Sequence, residues 1–193
     1  MVNKLSENPE VKKKIRDELF LCMREMPYSK ITIKNLVERL GMSRQNFYRY
    51  YMSKDEILLD LIDTTLDAAY EIAESNLHLM SNDVDAVAQK IEELIDSEKS
   101  LINEIISCSS RDVVFSHLQG FVRRIVGRIM RESNISDVDQ VYLDIIISQY
   151  AGSGYYLIKC WAQNDGELAP EKFRGLISSF INGLAKDVII AVN

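Results

Sequence analysis

ITIKNLVERLGMSRQNFYRYYMSK, residues 31–54, contains two short amphipathic segments, the first broken at Gly41 and the second restarting at Ser43. Ile33, Leu36, Val37 and Leu40 follow the i, i+3, i+4, i+7 spacing that makes one face of a helix apolar, and they leave Lys34, Glu38 and Arg39 to water. Gly41 can take the left-handed backbone conformation that ends a helix, and Ser43 can cap the next one. The second segment is brief. Phe47 and Tyr51 lie one turn apart on its buried side, so its other side presents Arg44, Gln45, Tyr48 and Arg49. This is the outline of a helix-turn-helix, and such a face suits base edges and phosphate oxygens.

Working outward, Ile15, Leu19, Cys22, Met23 and Met26 predict a first helix over about residues 9–26 that completes a three-helix head. Downstream, Ser53 and Glu56 have capping-box spacing and predict a long fourth helix toward Leu79, roughly 25 residues or about 37 Å at 1.5 Å per residue. Polar residues 81–85 break the pattern. Helices five to nine are then expected over about 84–95, 98–108, 111–132, 138–163 and from Pro170 onward, that proline suiting a first helical position. With three prolines, eight glycines and no alternating β-branched runs, the expectation is an all-α fold of about nine helices. The expected domains are a head at residues 1–54 and a helical body at 55–193.

Net charge divides along the same line. Residues 1–54 carry twelve Lys or Arg against six Asp or Glu, whereas 55–193 carry eleven against twenty-three, so the head is +6 and the body −12. A basic head attracts phosphates and an acidic body keeps DNA at that end. Cys22, Cys108 and Cys160 are odd in number and scattered, and His78 and His117 lie far apart, so neither a disulfide framework nor a metal set is expected. No cofactor is expected either. The longest apolar stretch, 141–161, is interrupted by Asp144, Gln149 and Lys159, which argues against a membrane span; a reducing cytoplasm fits the cysteines. No nucleophile elbow, phosphate-binding glycine loop or metal-spaced cluster points to an enzyme.

The GMSRQNFYRYYMSKDEIL stretch, with Thr32, Gly41, Ser43, Tyr48, Tyr51, Ser53 and Lys54 at matching spacing, resembles the tetracycline-repressor (TetR) family of bacterial transcriptional regulators over about the first sixty residues. It departs at Tyr51, where phenylalanine is common, and at Gln45 and Asn46, where small residues are frequent. The segment YYLIKCWAQNDGELAPEKF is also somewhat similar to the dihydroxyacetone-kinase-regulator subgroup. The resemblance implies a regulator, repressor or activator, whose head docks in the major groove of a pseudo-palindromic operator. In that reading Arg44 takes guanine acceptors, and Gln45 and Asn46 take adenine or neighbouring edges. Thr32, Lys34, Ser43, Tyr48, Arg49, Tyr50 and Lys54 complete the DNA-facing set, with Tyr48 and Lys54 carried most directly from the family motif. A head that docks a protein instead of DNA is the competing reading.

The body of that family binds small-molecule effectors, and His117, Tyr142, Gln149, Tyr150 and Tyr156 are the candidate effector contacts here, with ordinary core packing the alternative for each. Arg124, Arg128 and Arg131 form a basic stripe that reads better as a salt-bridged face than as an anion site. Trp161, Phe173, Ile177, Phe180 and Leu184 make helices eight and nine more apolar than one small body needs, which predicts a homodimer interface there.

Overall fold

The structure, a computed structural model, describes residues 8–75, 83–136, 138–163 and 168–190. These residues form nine α-helices and no strand: α1 (Pro9–Glu25), α2 (Ile33–Leu40), α3 (Arg44–Phe47), α4 (Lys54–Ser75), α5 (Val84–Ser97), α6 (Lys99–Cys108), α7 (Arg111–Glu132), α8 (Gln140–Ala162) and α9 (Pro170–Ile190). A 3-10 turn, Tyr28–Lys30, joins α1 to α2. The chain separates into two compact units, Met1–Thr64 and Thr65–Asn193, and α4 runs from one into the other. Four of its expected residues, 76–79, and His78 among them, lie outside the described residues.

Local chemistry sets the helix limits. Asn8 caps α1 by accepting from the amides of Glu10 and Val11, with Pro9 next to it where no amide is needed. Gly41, at φ 62° and ψ 29°, ends α2 in a Schellman arrangement: the Met42 amide reaches Val37 O at 3.0 Å and the Gly41 amide reaches Glu38 O at 3.3 Å. Asn134, at φ 54°, ends α7 in the same left-handed way. The Ser53 hydroxyl accepts from the Glu56 amide at 3.2 Å as expected, but the Glu56 carboxylate takes the Met52 amide at 2.7 Å.

In the head, Ile15, Leu19, Cys22 and Met23 of α1 are buried, as are Leu36, Val37, Phe47, Tyr51 and Ile57, and α1 packs on α2. Polar ties run around this core. Arg16 donates to Asp60 at 2.8 Å, Tyr51 donates its hydroxyl to the same carboxylate, and Lys12 lies 5.0 Å from the Tyr51 ring centroid. Burial and the Asp60 bond both push the Tyr51 phenol up.

In the body, α5 packs on α9, α7 and α9 pack on α8, and α6 also meets α8. The core of the α5 side joins Val87, Ala88, Ile95, Ile102, Trp161, Ala162, Phe173, Ile177 and Ile181. Trp161 stacks on Phe173 with centroids 4.1 Å apart, and its indole donates to Asp96 at 2.8 Å. Two further polar bonds set the α5–α9 register: Arg174 donates to the buried Glu92 at 2.6 Å and Ser178 to Asp85 at 2.6 Å. Arg124 pairs with Asp67 and Arg128 with Glu132, so two members of the basic stripe are salt-bridged, as preferred from the sequence.

Helices α8 and α9 correct the expected interface. Trp161, Phe173, Ile177 and Leu184 are buried within the body and Phe180 is half-buried, because the apolar surplus is consumed by covering α5 and α8. What α8 and α9 expose is different: Val141, Tyr142, Ile145 and Tyr156 on α8, and Leu176, Ile189 and Ile190 on α9. The effector set is likewise dispersed. Tyr142, Gln149 and Tyr156 are seven residues apart, which places them on one exposed face of α8 and not around an interior space. Tyr150 faces the other way, buried, and donates to Asp187 of α9 at 2.7 Å. His117 is half-buried on α7.

Candidate nucleic-acid interface

The head is dense in positive charge, and its geometry separates cations that serve the fold from cations that do not. Arg39 is bound by two carboxylates of α1, Glu18 and Glu25, its Nη2 reaching Glu25 Oε1 at 2.9 Å. Those bonds raise the guanidinium pKa and lower that of Glu25. Arg16 belongs to Asp60, and Lys13 to Asp17 at 2.7 Å. For Asp60, burial pushes the carboxyl up, but the hydrogen bonds from Tyr51 and Arg16 outweigh it and hold the group below its usual range. Arg44 and Arg49, by contrast, are exposed and make no ion pair among the described residues.

These two arginines flank a short surface built by α3 and the turn after it. Ser43 caps α3 by accepting from the Asn46 amide at 3.1 Å, so its hydroxyl proton is left to donate elsewhere. Gln45 is exposed beside Arg44. Tyr48, 39% exposed, stands edge-on to the buried Phe47 with centroids 5.7 Å apart, which restrains its ring. Asn46 is half-buried, and Lys34 is exposed with Glu38 3.8 Å away. Together they offer donors and acceptors for base edges and cations for phosphates.

Three of the expected DNA-facing residues stand differently. Tyr50 is only 7% exposed, packed inside the head. The chain tightens after Phe47, with the Arg49 amide on Asn46 O and the Tyr50 amide on Phe47 O at 2.9 Å; at three residues per turn Tyr50 falls beneath Phe47 and not beside Arg49. Thr32 caps α2: its hydroxyl donates to Asn35 Oδ1 at 2.6 Å and accepts from the Asn35 amide at 3.2 Å, while Asn35 Oδ1 also receives the Thr32 amide at 2.9 Å. Its proton is thereby already placed, although the residue is exposed. Lys54 directs its ammonium inward, to Tyr28 O at 2.7 Å and Ile31 O at 3.0 Å. Asn35 was not anticipated. The signal was present as Thr32-x-x-Asn35, the capping-box spacing with a shorter amide in the place of Glu or Gln.

Among the described residues no group of three or more His, Cys, Asp or Glu is arranged to hold a metal, and no helix is long and apolar enough to cross a membrane.

Residues 19–61 match the model of the bacterial regulatory proteins of the tetR family. No curated protein matches the sequence. Among solved structures, the chain is similar to a protein described as a TetR-family transcriptional regulator from Syntrophomonas wolfei str. Goettingen, with a TM-score of 0.67 and 16% identity over 93% of this chain and 97% of that one. At that identity the likeness speaks for the fold, and the head speaks for the kinship. The head, over residues 19–61, is therefore similar to that of the bacterial regulatory proteins of the tetR family, and the chain shares its fold with a protein described as one of them.

Proposed function

We propose that the protein is a repressor that binds a pseudo-palindromic operator as a homodimer and loses or gains operator affinity when a small molecule binds its body. The observation that carries the DNA contact is the charge accounting of the head: Arg16 and Arg39 are consumed by carboxylates, whereas Arg44 and Arg49 stand exposed beside Gln45 and Tyr48 with no ion pair among the described residues. Residues 1–54 are the DNA-binding part. Arg44 and Gln45 read bases, and Ser43, Tyr48, Arg49 and Lys34 hold phosphates. Repression fits a head that acts by occupying its site.

Residues 55–193 carry dimerisation and effector response. Two-fold pairing is supported by the exposed apolar residues of α8 and α9, Val141, Tyr142, Ile145, Tyr156 and Leu176. One head offers few base contacts, and joining two heads on one body raises affinity through effective concentration. The effector part rests on kinship, and it needs only a ligand that prefers one state: about 1.4 kcal/mol of differential binding changes operator affinity tenfold.

The experiment is selection of duplexes from a random pool by the purified protein, followed by titration at several salt concentrations. A pseudo-palindromic consensus is expected, with affinity that falls steeply with salt, each neutralised phosphate contributing about −0.9 to the slope of log K against log salt. No enrichment at low salt would reject DNA binding and favour a head that docks protein.

A further inference from the structure

We propose that Lys54 is a positioning residue for the DNA-facing start of α2 and does not itself hold a phosphate. The first two residues of α4 close on the 3-10 turn from both sides. Lys54 Nζ donates to the carbonyls of Tyr28 and Ile31 and lies 4.2 Å from the Tyr28 ring centroid, while the Tyr28 hydroxyl donates to Asp55. The carbonyl of Ile31 accepts no backbone hydrogen bond among the described residues, so the ammonium satisfies a group that would otherwise stand alone at the helix entrance.

The residue after that carbonyl is Thr32, whose reciprocal cap with Asn35 begins α2. A charge-assisted bond to Ile31 O therefore fixes where the cap sits and, through it, the direction in which α2 enters the helix-turn-helix. Two of the three ammonium protons are committed to protein carbonyls and the cation faces an aromatic ring. A lysine kept for phosphate would instead be solvated, as Lys34 is at 65% side-chain exposure, with only the exposed Glu38 3.8 Å away.

This inference rests on the operator reading for its DNA readout, and a DNA-free readout keeps the two separable. Full-length wild type, Lys54→Met and Lys54→Arg are compared by amide hydrogen exchange and by titration with the duplex that wild type selects. Lys54→Met is expected to speed exchange of the Thr32, Asn35 and Leu36 amides at least about fivefold, with α5 to α9 unchanged as the control for folding. Operator binding should weaken about tenfold, the scale of one charge-assisted hydrogen bond, with an unchanged salt slope and partial rescue by Lys54→Arg. Thr32→Ala should cost little further in the Lys54→Met background, since both act through one cap.

Unchanged exchange at Thr32, Asn35 and Leu36 overturns the proposal. So does a salt slope reduced by about 0.9 with additive Thr32 and Lys54 effects, which is the signature of a phosphate contact. Should Lys54→Met fail to fold, Lys54→Gln, which keeps a polar end but loses the charge and the reach of the ammonium, carries the same expectations. If wild type selects no duplex, the operator reading fails, and the exchange result still decides the role of Lys54.

Discussion

A Cβ on residue 183 would lie 2.7 Å from the Tyr150 hydroxyl oxygen, so α9 needs a glycine where α8 places a tyrosine. That hydroxyl is held by Asp187 at 2.7 Å and the ring by the edge of Phe180, centroids 5.3 Å apart, which leaves the phenol little room to retreat. Gly183→Ala gains about 1 kcal/mol of helix propensity but overpacks a buried contact, which costs about 1–3 kcal/mol. The net expectation is a loss. In a Tyr150→Phe background the obstructing oxygen is gone, so the same substitution should become neutral or stabilising by up to about 1 kcal/mol. Urea unfolding of the four proteins of the cycle checks the change of sign.

Asp60 predicts an acid-sensitive head. Its carboxyl is held below its ordinary value, so the stability it contributes is present above the unfolded value of about 3.9 and is lost as pH falls through the lower folded value. Asp60→Asn keeps the shape but removes the charge facing Arg16. At neutral pH the variant should be less stable by about 1.5–3 kcal/mol, the range for hydrogen bonds to charged groups. The gap should close below about pH 4 as wild type loses the same charge. A gap that stays constant down to pH 3 would show that the ion pair contributes nothing to folding.

The two neighbouring tyrosines of the head should separate cleanly. Tyr50→Ala empties a buried site and is expected to destabilise the protein by about 3–5 kcal/mol, as for other large aromatic truncations, whereas Tyr50→Phe should be mild. Tyr48→Ala removes a 39% exposed ring, so the melting temperature should hardly move while operator affinity falls alike for all sequences. Arg44→Ala, in contrast, should cost about 1–3 kcal/mol of binding and relax preference at one base pair per half-site. Thermal melts paired with titrations against the selected duplex and single-base variants test all three.

Legibility differed between regular and irregular segments. Helix limits were readable where they rest on local chemistry: Gly41 after Leu40, Pro170 at the start of α9. Periodicity also separated Phe47 and Tyr51 from Arg44 and Arg49. Tyr50 is assigned to DNA from the sequence with the rest of the operator-facing set, although it lies three residues after the buried Phe47, a spacing that puts both on one side of a helical turn. The inward course of Lys54 depends on the carbonyls of Tyr28 and Ile31, more than twenty residues earlier in the chain, which no local pattern reveals. In the body, an apolar stripe states that a face is covered and not by what; Trp161, Phe173 and Ile177 are covered by the chain itself.

That distinction gives the last prediction, which concerns how two copies pair. Ile177 is 4% exposed and Ile145 59% exposed, so a glutamate has opposite consequences at the two positions. Ile177→Glu buries a charge without a partner among Val87, Trp161 and Phe173 and should leave little folded protein. Ile145→Glu sits in water in the single chain and should fold normally. If the exposed face of α8 pairs two copies, however, the substitution sets two like charges against an apolar contact near the two-fold axis. The protein should then sediment as a folded monomer at micromolar concentration, with helix content intact and operator affinity reduced by roughly 10²-fold or more through loss of effective concentration. A dimer that survives Ile145→Glu with full operator affinity would move the interface away from this face of α8.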